Sequence, residues 1–469
     1  MKKTRIVATV GPASDTKEMM NKLILAGANV FRLNFSHGTH ETHQKIIEIA
    51  RELRNELKRP IGIMADLQGP RIRVGNTEPF EIEKGEIISV SDIKTTDGKE
   101  LIIDSDGVAE ALQVGERVLI EDGVMRLRVV EKLVDCVKAE VENGGMIKPR
   151  KGMNVPDTKL QFGAVTEKDK RDLEFALSQE VDFVALSFVS NAQEVLETRE
   201  TMKSILGRTD SLPQIVVKVE RKEAIDNIDE IIAATDVVMV ARGDLGIELD
   251  ESKVIIYQKE IIAKCLCASR PVIVATQMLD SMIVNPLPTR AEVSDVTNAV
   301  IDHTDAVMLS GESANGKYPV EAVETMSRII NNTEDSVFDD IIPGCVGECT
   351  WTDYASIIHS ACEMATSSDA KAILVSTESG SSARILAHHR PSQLILVGTN
   401  NAKTYNQMAM VWGARAYVFA DQSREELIDL MIETNKQSGR LVAGDKVVVI
   451  LGRVPGGKEC ALVGIRIVE

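Results

Sequence analysis

The chain has 469 residues, more than one hydrophobic core usually organises, so two or three domains are expected. Its formal net charge of −17 argues against nucleic acid as a ligand, because surfaces that bind nucleic acid are basic. Hydrophobic residues make up 44% of the chain but aromatic residues only 3%, so the core must be built from aliphatic side chains, a mix that suits parallel sheets.

Targeting signals are not evident. No apolar run approaches the roughly 20 residues that span a bilayer, and the N-terminal residues lead into a short apolar strand without a signal-peptide core. We therefore expect a cytoplasmic protein with no membrane association. The seven cysteines lack zinc-site spacing, so reduced, structural thiols are expected.

Short apolar runs alternate with helical stretches over the first two thirds of the chain. The eight runs are Ile6–Val10, Val30–Phe35, Ile61–Asp66, Phe183–Phe188, Ile215–Val219, Val237–Val240, Val272–Ala275 and Ala306–Leu309. Most of the connections between them are long enough for a helix. This pattern predicts an α/β fold with a parallel (β/α)8 TIM barrel.

One connection is too long for a loop. About 115 residues separate the third and fourth runs, and they contain short alternating segments between Gly and Asp turns. We predict an inserted small antiparallel β-barrel cap that closes over the mouth of the large barrel. The predicted domains are a barrel in two parts, residues 1–69 and 159–337, the cap over 70–158, and a C-terminal domain over 338–469.

The C-terminal third again alternates strands and helices. Its predicted strands are Ala372–Val375, Leu394–Val397, Ala416–Phe419, Val447–Leu451 and Val463–Val468. The alternation indicates a doubly wound parallel sheet, and therefore a C-terminal α/β domain.

Polar residues at the ends of the barrel strands are the candidates for chemistry, since active sites of such barrels lie at the C-terminal ends of the strands. Arg32, Asn34 and Ser36 alternate on the second run and so share one face, toward the barrel interior. A buried arginine needs an anionic partner, which is either a bound phosphate or the carboxylate of Asp66 in an internal salt bridge.

The fifth and sixth runs offer a second group of candidates. Lys218 and Glu220 share a strand face, and Asp244 follows the next strand. Two carboxylates on adjacent strand ends suit Mg²⁺, and the lysine suits a phosphoryl group. The alternative is a Lys218–Glu220 salt bridge with nothing bound. Gly243 allows close backbone approach and so favours a ligand.

The seventh and eighth runs end in hydroxyl residues. Thr276 follows the seventh and can position or donate a proton, and Ser310 follows the eighth. Each residue alone is more often a cap or a turn residue. The repetition of such residues at strand after strand is what favours an active site.

These motifs together resemble the pyruvate kinase family over essentially the whole chain. They are Thr4–Ser14 (TRIVATVGPAS), Arg32–Gly38 (RLNFSHG), Val240–Gly246 (VARGDLG) and Ala275–Leu279 (ATQML). The resemblance implies transfer of the phosphoryl group of phosphoenolpyruvate to ADP, followed by protonation of the enolate to pyruvate. It also implies Mg²⁺ or Mn²⁺ as cofactor and a homotetramer.

Residue roles follow from the resemblance. Lys218 is expected to stabilise the transferring group, Glu220 and Asp244 to bind Mg²⁺, Arg32 to contact the substrate phosphate, and Thr276 to act with water in proton delivery. The set expected to bind or enclose phosphoenolpyruvate also includes Ala241, Arg242, Gly243, Phe188 and Ser310. Arg73 is expected to reach in from the hinge of the cap as a further catalytic residue. The set expected near the nucleotide phosphates is Arg32, Asn34, His37 and Lys168.

The sequence departs from the family at the monovalent-cation site. The K⁺-dependent members have Asp-Thr-Lys-Gly-Pro-Glu after the third strand, where this chain has DLQGPR over Asp66–Arg71. Asn34, Ser36, Asp66 and Leu67 still match the cation site. Arg71 replaces the glutamate, so its fixed charge can substitute for the ion and K⁺ is not expected to be required.

A hydroxyl-rich loop in the C-terminal domain resembles the effector loop of the family. It comprises Ser376, Thr377, Glu378, Ser379, Gly380, Ser381 and Ser382. A sugar phosphate or a nucleoside monophosphate is the expected effector. The alternative is an N-terminal helix cap without a ligand. Residues 453–458 either close that site or form a plain hairpin turn.

Two other functions remain open from the residues alone. One is a barrel lyase or aldolase acting on phosphoenolpyruvate or pyruvate, in which Lys218 forms a Schiff base. The other is a metabolite sensor without catalysis. The carboxylates beside Lys218 weigh against the first, and the retention of all the candidate catalytic residues weighs against the second.

Overall fold

The first barrel segment alternates strands and helices. The structure, a computed structural model, describes residues 2–95, 98–159, 163, 165–339, 352–451 and 462–469. The elements of this segment are β1 (Arg5–Thr9), α1 (Lys17–Ala26), β2 (Val30–Asn34), α2 (His40–Leu57) and β3 (Gly62–Asp66). The side chains of Thr16 and Thr39 cap the two helices by accepting backbone N–H groups. Gly27, at φ 127°, ends α1.

The insert is predominantly antiparallel, as predicted. Its elements are β4 (Phe80–Ile82), β5 (Ile87–Ser91), β6 (Glu100–Ile102), α3 (Val108–Ala111), β7 (Arg117–Ile120), β8 (Met125–Lys132), β9 (Val137–Asn143), β10 (Gly145–Ile147) and β11 (Met153–Asn154). Six strands form a sheet in the order β11-β7-β8-β9-β5-β6, and β4 pairs with β10. Arg73 and Val74 bridge to the two edges of this sheet, at Gly152 beside β11 and at Ile103 beside β6, so its edges are joined as in the small barrel that was expected. The parallel pairing of β5 with β6 is the exception to the antiparallel pattern among the described strands of the insert.

The second barrel segment supplies the other five strands. Its elements are α4 (Glu167–Ser178), β12 (Phe183–Leu186), α5 (Ala192–Leu206), β13 (Gln214–Val219), α6 (Lys222–Asp226), α7 (Ile228–Ala234), β14 (Val237–Ala241), α8 (Arg242–Glu248), α9 (Glu251–Cys267), β15 (Val272–Ala275), α10 (Arg290–Ile301), β16 (Ala306–Leu309), α11 (Gly311–Ala314) and α12 (Pro319–Glu334). The eight strands close in the order β1-β16-β15-β14-β13-β12-β3-β2, with parallel pairing throughout. The predicted TIM barrel is confirmed.

The barrel interior is filled by apolar side chains from alternate strand positions. Val7, Met64, Phe183 and Met239 are among the members of this cluster, and each is fully buried. The cluster also takes in Met410, which lies beyond the barrel in the chain. A segment of the C-terminal domain therefore packs against the interior of the barrel.

The C-terminal domain is an α/β layer structure. Its elements are α13 (Asp353–Ser367), β17 (Ala372–Ser376), α14 (Ser381–His388), β18 (Leu394–Thr399), α15 (Ala402–Gln407), β19 (Ala414–Val418), α16 (Arg424–Gln437), β20 (Lys446–Leu451) and β21 (Leu462–Ile467). The sheet order is β19-β18-β17-β20-β21. Four strands are parallel as expected, but β21 pairs antiparallel with β20, because the chain returns directly to the neighbouring edge position.

Ion pairs join the C-terminal domain to the barrel. Asp305, fully buried before β16, pairs with Arg390 at 3.0 Å and lies 3.6 Å from His388. Burial works against the ionised form of Asp305, yet these neighbours hold its pKa far below the ordinary value. The two domains therefore share a buried charge network.

Three remaining expectations can be compared with the structure. Thiols are free at Cys136, Cys265 and Cys362, but Cys267 is disulfide-bonded, so the expectation of reduced cysteines is wrong at that position. None of the helices in the described ranges combines the length and apolarity that a membrane crossing requires. The exact domain boundaries stay a prediction.

Candidate active site

Four ionisable side chains lie together at the C-terminal mouth of the barrel, three of them buried and the fourth, Lys218, 12% exposed. Arg32 Nε donates to Asp66 Oδ2 at 2.6 Å. Lys218 Nζ lies 2.8 Å from Glu220 Oε1 and 3.4 Å from Asp66 Oδ1. Both carboxylates are only 1% exposed. Asp66 is therefore shared by two cations, and both salt bridges considered from the sequence are present.

Burial and neighbouring charge shift the pKa values of this cluster. Burial of the Lys218 ammonium works to lower its pKa, but the charges of Asp66 and Glu220 outweigh burial and raise the pKa above the ordinary value. Burial, with a further contribution from the charge of Asp244, raises the pKa of Glu220 to about 7 against the opposing effect of Lys218. Lys218 is therefore cationic at neutral pH, while the ionised form of Glu220 is disfavoured until more positive charge is near.

Two hydroxyl residues that the sequence analysis assigned no role complete the cluster. Lys218 Nζ donates to Ser187 Oγ at 2.8 Å, and that hydroxyl donates to the carbonyl of Leu67 at 2.8 Å. Arg32 Nη1 donates to Thr9 Oγ1 at 3.0 Å. Both hydroxyls lie at the ends of barrel strands, which is the only signal that could have identified them.

The chain after β15 adopts an unusual backbone conformation. Thr276 and Gln277 have φ values of 67° and 52°, and a β-branched residue in this region is strained. Thr276 Oγ1 accepts the Gly243 amide at 2.8 Å and donates to the carbonyl of Ala275 at 2.6 Å. These bonds fix the hydroxyl of Thr276 beside the start of α8.

Arg242 holds this loop through hydrogen bonds to its backbone carbonyls. Its guanidinium donates to the Thr276 carbonyl at 2.7 Å and to the Gln277 carbonyl at 3.2 Å, and it pairs with Asp295 at 2.7 Å. The side chain, 9% exposed, is thus committed to holding the loop. A direct substrate contact from Arg242 would have to come from its backbone.

The first turn of α8 provides the other expected contacts. Ala241 occupies the N-cap position and makes no side-chain cap, and Asp244 lies in the first turn. Asp244 is half-buried and close enough to Glu220 to raise its pKa. At the end of β16, the Ser310 amide donates to Glu312 Oε2 at 2.8 Å.

Phe188 joins the ends of two neighbouring barrel strands, β12 and β13, through its backbone amide. Its amide donates to Glu220 Oε2 at 2.8 Å, and its φ of 57° directs the chain abruptly after β12. The ring lies 5.5 Å from the Arg221 guanidinium and is 9% exposed. The expected role of Phe188 as a wall of the substrate pocket stays a prediction.

The residues expected near the nucleotide lie on one side of the mouth. Asn34 Oδ1 accepts the Ser36 amide at 3.1 Å. Lys168 Nζ donates to the Phe35 carbonyl at 2.7 Å and pairs with Asp172 at 2.5 Å. His37 is exposed. The structure thus brings Asn34, Ser36 and Lys168 to the loop after β2.

Both arginines after β3 point toward the insert. Arg71 Nη2 lies 3.9 Å from Asp122 Oδ1, and Arg73 Nη1 donates to the Arg150 carbonyl at 3.1 Å. In this conformation neither side chain joins the buried charge cluster. Arg71 instead lines a cleft of about 1210 Å³ between the insert and the barrel, whose barrel wall includes Gly243 and Asp244.

The hydroxyl-rich loop lies between β17 and α14. Thr377 Oγ1 accepts the Gly380 amide at 3.0 Å, Ser379 and Ser381 share a 3.2 Å hydrogen bond, and Ser382 Oγ accepts from Tyr354 at 2.6 Å. Ser376 Oγ is buried and lacks a hydrogen-bond partner among the described residues. The expected closing segment, residues 453–458, lies outside the described residues.

The closed barrel, its inserted cap and the charged mouth define an α/β-barrel enzyme. The model of the pyruvate kinase barrel domain matches residues 1–323, and that of the pyruvate kinase alpha/beta domain matches residues 355–463. The chain belongs to the pyruvate kinase family. The reaction of that family is phosphoryl transfer from phosphoenolpyruvate to ADP.

Individual relatives agree with this assignment. A pyruvate kinase of Geobacillus stearothermophilus is 41% identical over 466 residues, which cover 97% of this chain and 78% of the relative. One from Staphylococcus aureus is 40% identical over 477 residues, covering 98% and 79%. A crystal structure of a pyruvate kinase from Cryptosporidium parvum superposes with a TM-score of 0.92 at 34% identity, covering 100% of this chain and 96% of the other.

The Thr276 hydroxyl can be tested with two substitutions. Thr276→Val removes the hydroxyl but keeps the shape, and we expect kcat for pyruvate formation to fall about a hundredfold or more, as for loss of a proton-transfer group. Thr276→Ser keeps the hydroxyl and should stay within about tenfold of the native kcat. A coupled assay measures both variants. Near-native kcat in Thr276→Val would exclude a role of the Thr276 hydroxyl in proton delivery.

Proposed function

We propose that the buried cluster of Arg32, Asp66, Lys218 and Glu220 is the site of phosphoryl transfer in this chain. The observation that carries the proposal is the sharing of one fully buried carboxylate by two cations at the barrel mouth. Arg32 and Lys218 together supply a fixed positive field where a phosphate would bind, and burial strengthens that field. Phosphoenolpyruvate and ADP are the substrates that the family implies.

Lys218 is proposed to neutralise the phosphoryl group in transfer. Its raised pKa keeps it an ammonium ion, and its bonds to Ser187 and Glu220 fix its position. A Schiff-base mechanism needs a neutral amine, and hence a lowered lysine pKa. The raised pKa therefore argues against the aldolase or lyase alternative.

Glu220 and Asp244 are proposed to hold Mg²⁺ or Mn²⁺. The two carboxylates fit a divalent cation by their charge, since they lie close enough to each other for Asp244 to raise the pKa of Glu220. Among the described residues no group of three His, Cys, Asp or Glu side chains could hold a metal. A two-carboxylate site suits Mg²⁺, which keeps waters and takes substrate oxygens as further ligands. When bound, the ion would neutralise charge on the phosphoryl oxygens.

Arg32 is proposed to bind the substrate phosphate. Asp66 and Thr9 hold its guanidinium through Nε and Nη1, so its orientation is set before substrate arrives. Arg32, with Asn34, His37 and Lys168, would also meet the nucleotide phosphates. Arg73 would have to leave the Arg150 carbonyl to take part, a movement that closure of the insert could supply.

The enolate end of the substrate is proposed to lie against the start of α8. Backbone amides over Ala241–Asp244 would receive its carboxylate, with Phe188 enclosing the pocket and Ser310 on the far side. Thr276 would hold the water that delivers the proton to the enolate carbon. Its strained backbone and two hydrogen bonds set the position of the hydroxyl in advance.

Regulation and assembly are proposed by analogy with the family. The loop of Ser376, Thr377, Ser379, Gly380, Ser381 and Ser382 would bind a sugar phosphate or a nucleoside monophosphate. In support, the loop precedes a helix N-terminus, and the buried Ser376 hydroxyl lacks a partner within the described ranges. A homotetramer is proposed on the same ground.

Lys218→Met tests the catalytic proposal, because it replaces the ammonium with an apolar chain of similar length. We expect kcat for pyruvate formation from phosphoenolpyruvate and ADP to fall about a hundredfold to a thousandfold. Lys203→Met, at a partly exposed lysine on α5 that pairs with Glu200, serves as the control and should leave kcat unchanged. If Lys218→Met keeps most of the activity, the cluster is not the transfer site.

Independence from K⁺ is a second prediction, and it rests on Arg71. The native chain should remain active in buffer without K⁺ or Na⁺, since the guanidinium can supply the positive charge near Asn34, Ser36, Asp66 and Leu67 after a movement away from Asp122. Arg71→Glu should create a requirement for K⁺.

Arg126→Glu is the matched control, because Arg126 lines the same cleft on the insert. It should show no dependence on K⁺. A native enzyme that loses orders of magnitude of activity without K⁺ would show that the arginine does not replace the ion.

A further inference from the structure

The loop between β2 and α2 is held by side chains that come from outside it. This β2 loop, residues 35–38, carries His37, one of the residues proposed to meet the nucleotide phosphates. His43 of α2 donates from Nε2 to the His37 carbonyl at 3.0 Å. Lys168 of α4 donates from Nζ to the Phe35 carbonyl at 2.7 Å. Two helices therefore fix the main chain of the loop.

The chemistry of His43 suits this contact. The residue is 6% exposed, and its ring stacks on the ring of Phe35 with the centroids 4.3 Å apart. A carbonyl oxygen only accepts, so Nε2 of His43 carries the proton and Nδ1 carries none. Burial lowers the pKa of His43, which keeps the ring neutral at neutral pH.

The second ring nitrogen of His43 has no comparable use. Nδ1 is buried and lacks a hydrogen-bond partner among the described residues. A buried polar atom without a partner costs free energy, so an apolar ring would pack at this position at least as well as histidine does. The feature that distinguishes histidine here is therefore the donor at Nε2.

Asp172 directs Lys168 toward the β2 loop. The two residues are four positions apart on α4 and so share one face of the helix. Asp172 Oδ2 lies 2.5 Å from Lys168 Nζ, and Asp172 Oδ1 lies 2.8 Å from His40 Nε2 at the start of α2. Asp172 is 5% exposed, whereas the Lys168 side chain is 43% exposed. Without the carboxylate, the lysine could turn toward solvent and leave the loop.

Four rings pack around these polar contacts. Besides the pair of Phe35 and His43, the rings of His40 and Phe175 stack with centroids 4.2 Å apart and an interplanar angle of 5°. The Phe35 and Phe175 rings are 6.1 Å apart. In a chain with only 3% aromatic residues, this cluster packs the β2 loop against both α2 and α4.

The arginine at the end of β2 is held in a different way. The Arg32 guanidinium donates to Asp66 and to Thr9. Within the described ranges, the hydrogen bonds of this guanidinium involve neither His43 nor Asp172. A change at His43 or Asp172 should therefore affect the β2 loop and leave Arg32 in place.

We propose that His43 and Asp172 are positioning residues, which hold the β2 loop in the conformation that binds ADP. Both are buried, so neither contacts the nucleotide directly. The inference rests on the proposed function, because it takes the β2 loop as part of the nucleotide side of the mouth. It adds that the affinity for ADP depends on two side chains that the nucleotide does not reach.

His43→Phe tests the proposal, because it keeps a ring beside Phe35 and removes the Nε2 donor together with the unpartnered Nδ1. We expect KM for ADP to rise about fivefold or more, the effect of one lost hydrogen bond. KM for phosphoenolpyruvate and kcat should stay within about twofold of the native values, since Arg32 is held separately. A coupled assay of pyruvate formation, without added effector, gives these constants. If His43 served only packing, the variant would keep the native KM for ADP.

Asp172→Asn is the second variant, because it keeps the size of the side chain and removes the charge that holds Lys168. The same selective rise in KM for ADP is expected. The matched controls are His359→Phe, on α13 of the C-terminal domain, and Asp229→Asn, at an exposed aspartate that pairs with Lys264. Both controls should show native constants. Thermal unfolding should show that all the variants are folded.

His37→Ala separates this inference from the proposed function. It removes the side chain proposed to meet the nucleotide phosphates but keeps the carbonyl that accepts from His43, and KM for ADP should rise. If it rises in His37→Ala but not in folded His43→Phe and Asp172→Asn, the positioning role is wrong and the nucleotide side of the mouth stands. If none of the three variants raises KM for ADP, both are wrong. Equal rises in KM for ADP and phosphoenolpyruvate in His43→Phe would also overturn the inference.

Discussion

The active site depends on charge balance among side chains that have little access to water. Arg32, Asp66 and Glu220 are buried and the Lys218 side chain is only 12% exposed, so none of these charges could stand alone there without a large cost in free energy. Their mutual attraction offsets that cost and fixes each side chain in one orientation. Burial, with the nearby charge of Asp244, nevertheless raises the pKa of Glu220 to about 7, so a further positive charge beside these two carboxylates would favour the ionised form of Glu220.

The barrel is what assembles this cluster from distant parts of the sequence. Parallel pairing of β2 with β3 puts Arg32 and Asp66 within one hydrogen bond, although 33 residues lie between them. The fifth strand of the barrel in the chain, β13, then brings Lys218 to the same carboxylate. The loop after β15 adds Thr276, held by Arg242 and by the Gly243 amide. Each contribution comes from a strand end, so closing the barrel positions the chemistry.

The sequence predicted which strand ends contribute side chains to this cluster, because strand ends and the alternation of side chains along a strand can be recognised in the sequence. It missed Ser187 and Thr9, since a buried hydroxyl looks like any strand residue until its partner is known. The directions of Arg71 and Arg73 depend on contacts with the insert and could not be read from local pattern. An apolar run in the sequence does not indicate whether its strand pairs parallel or antiparallel, so the antiparallel pairing of β21 was not predicted. Site roles, metal ligands and independence from K⁺ remain predictions.

We propose that Asp66 holds the side chains of Arg32 and Lys218 in place for phosphoryl transfer and that its charge helps to keep Lys218 an ammonium ion. Steady-state assay of Asp66→Asn, an isosteric change that removes only the charge, tests it most directly. We expect kcat to fall about a hundredfold or more while the melting temperature shows a folded protein, because both cations lose their shared partner. A folded Asp66→Asn enzyme with native kcat would show that phosphoryl transfer does not depend on the Asp66 charge.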